Sequence, residues 1–383
     1  MRIGVPAETR AGETRVAMTP ETAKKLKAQG HTLLVQSGAG LAASVTDAAY
    51  EAVGVEISDA AGALSCELVL KVSAPSAAEL KHMKSGAALV GMLNPFDAEG
   101  LGQLAAAGLT SFALEAAPRT TRAQSMDVLS SQANIAGYKA VMVAADKYQR
   151  FVPMLMTAAG TVKAARVVIL GVGVAGLQAI ATAKRLGAVI EATDVRPSVK
   201  EQVESLGAKF IDVPFETAEE KEAAEGVAGY ARPMPASWLD RQKVEVAKRV
   251  AQADLVITTG GLGPTCDDIT RERIAELLGR TLVFDSVVSD AIQAFFQSRG
   301  RPVPPRTRVE AMVPQGAIVV PNGQGTAPGL MIEASPNPFR PEGKRSWLVM
   351  LPGPPREHRP ARRRRRRSRH PGAPRGSTAH RRG

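Results

Sequence analysis

Short apolar runs alternate with polar, helix-forming segments along the first 116 residues. This alternation predicts strands and helices in turn, and therefore a parallel α/β sheet. A helix is predicted to begin at Thr19-Pro20-Glu21, because a threonine cap followed by proline at the first helical position is a start signal. The predicted strands are Arg2 to Pro6, Leu33 to Gln36, Leu68 to Val72, Ala88 to Met92 and Thr110 to Leu114.

A second α/β region is predicted to follow a long helical stretch at 127–150. Apolar, β-branched runs at 166–170, 189–193 and 253–259 predict its strands. Two such domains enclose a cleft, and a cofactor is expected at their junction.

A glycine-rich turn directly follows the run at 166–170. Gly171, Gly173 and Gly176 have the spacing G-x-G-x-x-G, placed between a predicted strand and a predicted helix. Such glycines permit the tight turn, the approach of a pyrophosphate and close packing of helix on sheet. The N–H groups at the start of the helix then face the phosphates. The pattern predicts a dinucleotide site; an ordinary βα turn is the alternative.

Asp194 ends the next apolar run, eighteen residues after Gly176. A carboxylate at this place accepts hydrogen bonds from a ribose 2′-hydroxyl and repels a 2′-phosphate, which favours NAD over NADP. Arg196 weakens that inference, because arginine can hold a 2′-phosphate. The residues predicted to bind the cofactor here are Gly171, Gly173, Val174, Ala175, Gly176, Asp194, Val195 and Arg196.

The charge of the chain is concentrated at one end. Of the formal net charge of +12, +11 belongs to residues 358–383, which contain eleven Arg and no Lys, Asp or Glu, so residues 1–357 carry about +1. Such a tail cannot bury apolar surface and is predicted to be disordered. Polyanion binding is one interpretation of it, and a tail without evolved function is the other; no specific nucleic acid is expected.

The cysteine and histidine content and the hydropathy of the chain limit the compartment, the chemistry and the membrane association that can be expected. Two cysteines are too few for a disulfide framework and fit a reducing compartment. Only His31 and His82 precede residue 358, which disfavours proton-transfer chemistry at histidine. No run approaches the roughly 20 apolar residues of a membrane span, so we expect a cytoplasmic protein whose membrane association is peripheral.

Several segments resemble the alanine dehydrogenase and nicotinamide nucleotide transhydrogenase family. Gly4-Val5-Pro6-Ala7-Glu8 and Gly12-Glu13-Thr14-Arg15-Val16-Ala17 are similar to its opening. The segment from Pro118 to Gln132 resembles the RQD loop of the NAD(H)-binding domain I of proton-translocating transhydrogenase. Gly229-Tyr230-Ala231 resembles that domain's mobile loop, and the likeness extends from residue 1 to about 258.

This resemblance implies roles for the loop that closes over the nicotinamide. It implies that Arg119 and Asp127 form a charged pair, that Gln124 bridges toward the ring and the partner domain, and that Ser130 binds the carboxamide. It extends cofactor contact to Gln124, Ser125, Met126, Asp127, Gly229 and Tyr230. It also implies NADP(H) on a partner subunit domain, a transhydrogenase membrane subunit, a homodimer, and a place at the inner membrane face through those partners.

Alanine dehydrogenase is the nearest competing interpretation. Arg15 and Lys71 occupy the places of that enzyme's substrate carboxylate ligands. The histidine that the family supplies after the strand that here reads Leu89 to Met92 is replaced by Leu93-Asn94-Pro95, which favours transhydrogenation over pyruvate reduction.

The likeness changes near residue 258. The string from Thr259 to Thr270 resembles the signature of the molybdopterin-binding fold of the CinA family, and 321–329 and 351–357 continue that match. The resemblance implies phosphate binding by the glycine turns, with Asp267 and Asp268 as candidate Mg²⁺ ligands. The opening strand of that fold is missing, and so are the closing elements of the transhydrogenase domain. We therefore predict a chimera, which leaves either an unpaired sheet edge or incoming strands paired onto the Rossmann edge.

The predicted fold class is α/β, with two Rossmann-like parallel-sheet domains, a partial molybdopterin-binding-like segment and a disordered basic tail. The predicted divisions are 1–126, 127–258, 259–357 and 358–383. The leading function is an NAD(H)-binding transhydrogenase component. The alternatives are a CinA-like nucleotide or molybdopterin binder or pyrophosphatase, and an inactive chimera.

Overall fold

The computed structural model describes residues 1–118, 120–225, 234–264, 268–297, 301–322, 325–335 and 345–352. Arg119, Gly229, Tyr230 and Asp267 lie outside these ranges, and so does the arginine-rich segment 358–383.

The first sheet is parallel throughout, with the strand order β3-β2-β1-β4-β5-β6. The predicted parallel α/β sheet is therefore confirmed. The strand at Glu56–Ser58 was not predicted, because three residues with one apolar side chain show no alternation. The strands are β1 (Arg2–Val5), β2 (Thr32–Gln36), β3 (Glu56–Ser58), β4 (Leu68–Ser73), β5 (Ala88–Met92) and β6 (Thr110–Ala113).

Capping side chains set where several helices of this half begin. The Thr19 side chain accepts a hydrogen bond from the Thr22 N–H, as the threonine-proline signal predicts. Ser76 and Glu79 form a capping box at the start of another helix. The helices of this half are α1 (Pro20–Ala28), α2 (Asp47–Glu51), α3 (Ala60–Leu64), α4 (Ala77–Leu80) and α5 (Ala98–Ala106). The next helix, α6 (Val128–Tyr148), packs in the core of the second half.

The second sheet has the strand order β11-β10-β9-β12-β17-β16-β15. A separate antiparallel hairpin, β7 (Leu155–Thr157) with β8 (Gly160–Val162), precedes it. The elements up to the sheet's central strand are β9 (Arg166–Leu170), α7 (Val174–Arg185), β10 (Val189–Thr193), α8 (Lys200–Ser205), β11 (Lys209–Phe210), α9 (Ala218–Glu225), α10 (Ala236–Val250) and β12 (Leu255–Thr259).

The remaining strands of this sheet come from the part of the chain after residue 259. They are β15 (Ile318–Val320), β16 (Gly329–Ala334) and β17 (Ser346–Leu351). The same part of the chain forms α11 (Thr270–Leu277) and α12 (Ser286–Gln297), and β13 (Leu282–Phe284) and β14 (Met312–Pro314), which pair with each other in a separate antiparallel sheet. β17 pairs in parallel with β12 over its length, from Leu255↔Trp347 to Thr259↔Leu351. Of the two alternatives, the unpaired edge at β12 is wrong, and pairing onto that edge is what the structure shows.

Both faces of the second sheet mix side chains from the two sides of residue 258. On one face Ile169 and Ile257 pack in one buried cluster with Met331 and Val349. On the other face Val256 packs in a cluster that includes Leu330 and Leu348. The sheet therefore has shared cores as well as shared hydrogen bonds. Among the described residues, no helix combines the length and apolar character needed to cross a membrane.

If β17 is part of the same cooperative unit as β9 and β12, shortening Val349 will destabilise the whole sheet. Val349 is 0% exposed, and Val349→Ala removes two methyl groups and leaves a cavity, so we expect a loss of about 2 kcal/mol in the free energy of unfolding. The same change at Val287, which is 75% exposed, is the control and should have little effect. Urea unfolding of the full chain measures both, and equal midpoints for the two variants would contradict the shared core.

Candidate functional site

A cavity of about 230 Å³ lies between the segment that leads into α6 and the first residue of α7. It brings together Gln124, Asp127 and Ser130, which sequence analysis places near a nicotinamide, and Val174 of the glycine turn. The residues that line it are Ala117, Pro118, Thr120, Ala123, Gln124, Asp127, Ser130 and Val174.

Asp127 lines this cavity and caps the N-terminus of α6. Its Oδ1 accepts from the Ser130 N–H at 3.1 Å, and its Oδ2 accepts from the Ser130 hydroxyl at 2.7 Å. The Ser130 oxygen keeps its acceptor capacity while its proton is committed to Asp127. A ligand amide that donates to Ser130 therefore fits this arrangement. Gln124, Ser125 and Met126 precede the cap and are exposed.

The glycine turn has the geometry that its spacing predicts. Gly171 has a φ of +94°, which favours glycine. A Cβ on Gly176 would lie 1.9 Å from the carbonyl oxygen of Gly171, so this glycine permits the helix to pack against the turn. A Cβ on Gly173 would meet nothing within 4 Å, and that open space lies at the start of α7. These features fit a phosphate at the helix N-terminus.

α6 and α7 touch through their backbones. A Cβ added to Gly137 of α6 would lie 2.0 Å from the carbonyl oxygen of Ala175. This close approach fixes the position of Asp127, at the start of α6, relative to the glycine turn. Gly137 was not predicted to have this role, although a glycine in a helix interior is a recognisable signal of close packing.

Asp194 follows β10 and is 8% exposed. Its Oδ2 accepts from the Val172 N–H at 2.7 Å, and its Oδ1 accepts from the Arg196 N–H at 2.9 Å. The Arg196 guanidinium donates to both oxygens, from Nε at 2.9 Å and from Nη2 at 3.0 Å. Burial acts to raise the pKa of Asp194, but the hydrogen bonds from Arg196 and Val172 outweigh it and hold the pKa below its ordinary value. The carboxylate is therefore ionised and adjoins the glycine turn.

Gln242 and Thr259, which were not predicted to belong to the site, contact the region around Asp194 and Gly171. Gln242 of α10 is buried, and its Nε2 donates to the Asp194 carbonyl at 2.9 Å and to the Thr193 hydroxyl at 3.1 Å. Thr259 ends β12 beside Gly171, where a Cβ would lie 3.3 Å from its hydroxyl. Val195, which was predicted to contact the cofactor, is exposed.

The comparisons with known proteins agree with this geometry. Residues 4–136 match the family described as alanine dehydrogenase/PNT, N-terminal domain, and residues 140–276 match its C-terminal domain. An NAD(P) transhydrogenase alpha-subunit protein of Rhodospirillum rubrum is 46% identical over 298 residues, which cover 75% of this chain and 77% of that protein. The chain belongs to the alanine dehydrogenase/PNT family. A solved transhydrogenase structure from Sinorhizobium meliloti is 48% identical, with a TM-score of 0.57, and covers 67% of this chain and 69% of that one.

A second family overlaps the end of the alanine dehydrogenase/PNT match. Residues 239–363 match the probable molybdopterin binding domain, so residues 239–276 match both families. A putative competence-damage inducible protein of Symbiobacterium thermophilum is 42% identical over 135 residues, which cover 35% of this chain and 30% of that protein. The overlap contains β12, the strand at which sequence analysis places the change of resemblance.

Both cations that would bind a substrate carboxylate in alanine dehydrogenases of this family are already paired. Lys71 is buried, with its Nζ 2.8 Å from Glu79 Oε1 and 3.5 Å from Glu8 Oε2. Arg15 contacts both oxygens of Glu13 and donates to Gln132 of α6 at 2.8 Å. Two carboxylates facing one ammonium group leave no excess positive charge around Lys71. This pairing disfavours a carboxylate substrate.

The part that matches the molybdopterin-binding family has its own polar cluster. Glu310 and Arg271 are each 1% exposed, and Glu310 accepts from the Thr326 hydroxyl at 3.1 Å. Burial raises the pKa of Glu310 to about 7, although Thr326 and the charge of Arg271 act to lower it. Asp268 is half-buried, and Asp267 lies outside the described residues. Within the described ranges no three His, Cys, Asp or Glu side chains cluster.

The contact between α6 and α7 predicts opposite effects for two glycine-to-alanine changes in helix interiors. Gly137→Ala forces a Cβ against the Ala175 carbonyl and should cost about 1–3 kcal/mol in the free energy of unfolding. Gly102→Ala in α5 meets nothing within 4 Å, and the higher helix propensity of alanine should stabilise the chain by up to about 1 kcal/mol. Thermal unfolding measures both, and a Gly137→Ala variant as stable as Gly102→Ala would contradict the close approach.

Glu310 predicts a pH dependence of stability. Between its ordinary value of 4.5 and about 7, the folded state binds a proton that the unfolded state has released, so the free energy of unfolding falls as pH rises through this window. Above pH 7 the loss levels off, at about 3 kcal/mol. Glu310→Gln should therefore stabilise the chain at pH 8 and change little at pH 5 in denaturant titrations. Glu276→Gln, at an exposed site, is the control; a Glu310→Gln effect equal at both pH values would refute the raised pKa.

Proposed function

We propose that this chain is the NAD(H)-binding component of a proton-translocating NAD(P) transhydrogenase and exchanges hydride with NADP(H) held on a partner subunit. One observation carries the proposal: a single cavity joins Gln124, Asp127 and Ser130 to the glycine turn at Val174. A dinucleotide with its pyrophosphate at the start of α7 would have its adenosine ribose at Asp194 and its nicotinamide in this cavity. The relatives described above include a transhydrogenase alpha-subunit protein and a solved transhydrogenase structure.

NAD(H) fits the residues present. Gly171, Gly173, Val174, Ala175 and Gly176 would receive the pyrophosphate, and Asp194, Val195 and Arg196 would lie at the adenosine ribose. Gln124, Ser125, Met126 and Asp127 would lie at the nicotinamide end. When bound, the nicotinamide supplies the hydride.

The chain's own residues then act by positioning. Asp127 fixes the start of α6, and the Ser130 oxygen accepts a hydrogen bond from an amide. Gln124 is exposed and can contact a partner domain. Close approach and exclusion of water serve hydride transfer without a protein acid or base. The scarcity of histidine and the pairing of Lys71 with two carboxylates are consistent with hydride transfer that needs no protein acid or base.

Partners follow from the same proposal. A transhydrogenase membrane subunit and an NADP-binding domain would hold the chain at the inner membrane face from the cytoplasm. A homodimer is supported by an apolar stripe on α6, made of Ile135, Tyr138 and Met142, whose exposure ranges from 37% to 54%. The β7–β8 hairpin adds Met156, which is 70% exposed. Exposed apolar surfaces of this kind are typical of interfaces.

The functional divisions proposed are 1–126 for the N-terminal domain, 127–258 for the NAD-binding domain and 259–357 for the CinA-like segment. A second candidate function is nucleotide or molybdopterin binding by that last segment. It is favoured by the family match at 239–363 and by positive φ angles at Gly260 and Gly261, whose turn follows the end of β12.

Asp127→Asn tests the leading function. Asparagine retains the cap of α6 but removes the charge, so the fold should persist while hydride transfer falls about tenfold or more. Asp146→Asn, at an exposed position near the other end of α6, is the matched control. Single-turnover transfer from NADH to an NADP⁺ analogue, with the full chain and a transhydrogenase partner domain, measures the rate.

A wild-type chain that binds no NADH in calorimetry, or binds it without transferring hydride to that partner, would sink the proposal. The second candidate predicts the reverse pattern. There, an adenine pyrophosphate would bind in a manner that depends on Asp267 and not on Asp194.

A further inference from the structure

The Asp194 carboxylate has no acceptor capacity left for a ligand. A carboxylate offers about four lone-pair sites, and four protein donors fill them. Oδ1 accepts from the N–H and the Nε of Arg196, both at 2.9 Å. Oδ2 accepts from the Val172 N–H at 2.7 Å and from Arg196 Nη2 at 3.0 Å.

Two of these four donors belong to the guanidinium of Arg196, which also donates to the Val172 carbonyl at 3.3 Å. The other two are backbone N–H groups, which the glycine turn and the end of β10 hold in place. The Arg196 side chain is 36% exposed, whereas that of Asp194 is 7% exposed, so the guanidinium lies over the carboxylate on its solvent side. If it moved away, one lone-pair site would open on each oxygen.

A ribose presents a matching pair of donors, because its 2′- and 3′-hydroxyls lie on neighbouring carbons. Resting on the proposed NAD(H) function, the geometry points to Arg196 as an intramolecular competitor of the adenosine ribose, which must leave Asp194 before the ribose can bind there. Arg196 is thus a specificity-determining residue: in its paired position it cancels the preference for a 2′-hydroxyl that Asp194 would otherwise impose.

Competition makes a prediction that a general electrostatic role does not. Removing Arg196 weakens attraction to every phosphate ligand equally, so this effect cancels when two diphosphates are compared. The test is therefore to compare the binding of ADP and of 2′-deoxy-ADP to the full chain by calorimetry. The readout is the ratio of the dissociation constant of 2′-deoxy-ADP to that of ADP, which reports the contribution of the 2′-hydroxyl alone.

In the wild-type chain this ratio should lie below about 3, because the hydroxyl gains its bond only by displacing Arg196. In Arg196→Ala it should rise about fivefold or more, since a hydrogen bond to a charged group then forms without competition. Arg196→Lys should give an intermediate ratio, because an ammonium group lacks the planar fork that reaches both oxygens. Arg185→Ala removes an arginine at the far end of α7 and should leave the ratio unchanged.

An unchanged or lower ratio in Arg196→Ala would overturn the inference and leave the proposed function standing. A receptor for a 2′-phosphate would show a different pattern: Arg196→Ala would lose affinity for adenosine 2′,5′-bisphosphate while the ratio stayed the same, and this too would overturn it. A wild-type chain that binds neither ADP nor NADH would overturn the inference together with the proposed function. Equal thermal unfolding of the variants is the check on folding.

Discussion

The parallel hydrogen-bond ladder between β12 and β17 is the constraint on which the second half of the molecule depends. β12 lies at the centre of its sheet, and its apolar side chains face both layers. Without β17 it would be an apolar edge strand, a state that proteins avoid. Backbone hydrogen bonds do not depend on side-chain identity, so a strand from another family can fill the place. The side chains of β17 then have to fill two existing cores, and Leu348 and Val349 do so.

The candidate site depends in turn on where the parallel strands end. The glycine turn follows β9, Asp194 follows β10 and Thr259 ends β12, so all three lie at one edge of the sheet. α6 brings the cap at Asp127 to the same edge, and Arg15 reaches across from the first half to Gln132 on that helix. The site therefore draws on both halves of the alanine dehydrogenase/PNT region, while the ladder to β17 supports the strand that places Thr259 beside Gly171.

The sequence predicted the features that are determined by a local pattern of residues. Alternation predicted five of the six strands of the first sheet, and the spacing of Gly171, Gly173 and Gly176 predicted a turn whose geometry the structure shows. It was uninformative where distant residues meet. No local pattern predicts that the Arg196 guanidinium donates to both oxygens of Asp194. Nor does one predict the contact of Gln242 with the end of β10 or the pairing of β17 with β12, because these contacts depend on how separate elements pack. The pairing of Lys71 with two carboxylates belongs to the same class, since Glu8 and Glu79 come from different elements.

The contact of Gly137 with the Ala175 carbonyl has a consequence for motion. Two helices that meet through side chains can slide as rotamers change, whereas two that meet through their main chains have nothing between them to rearrange. α6 and α7 should consequently move as one rigid body, so that the Asp127 cap and the glycine turn keep their relative positions. Any change in the shape of the cavity then has to come from its other wall, the segment that precedes α6.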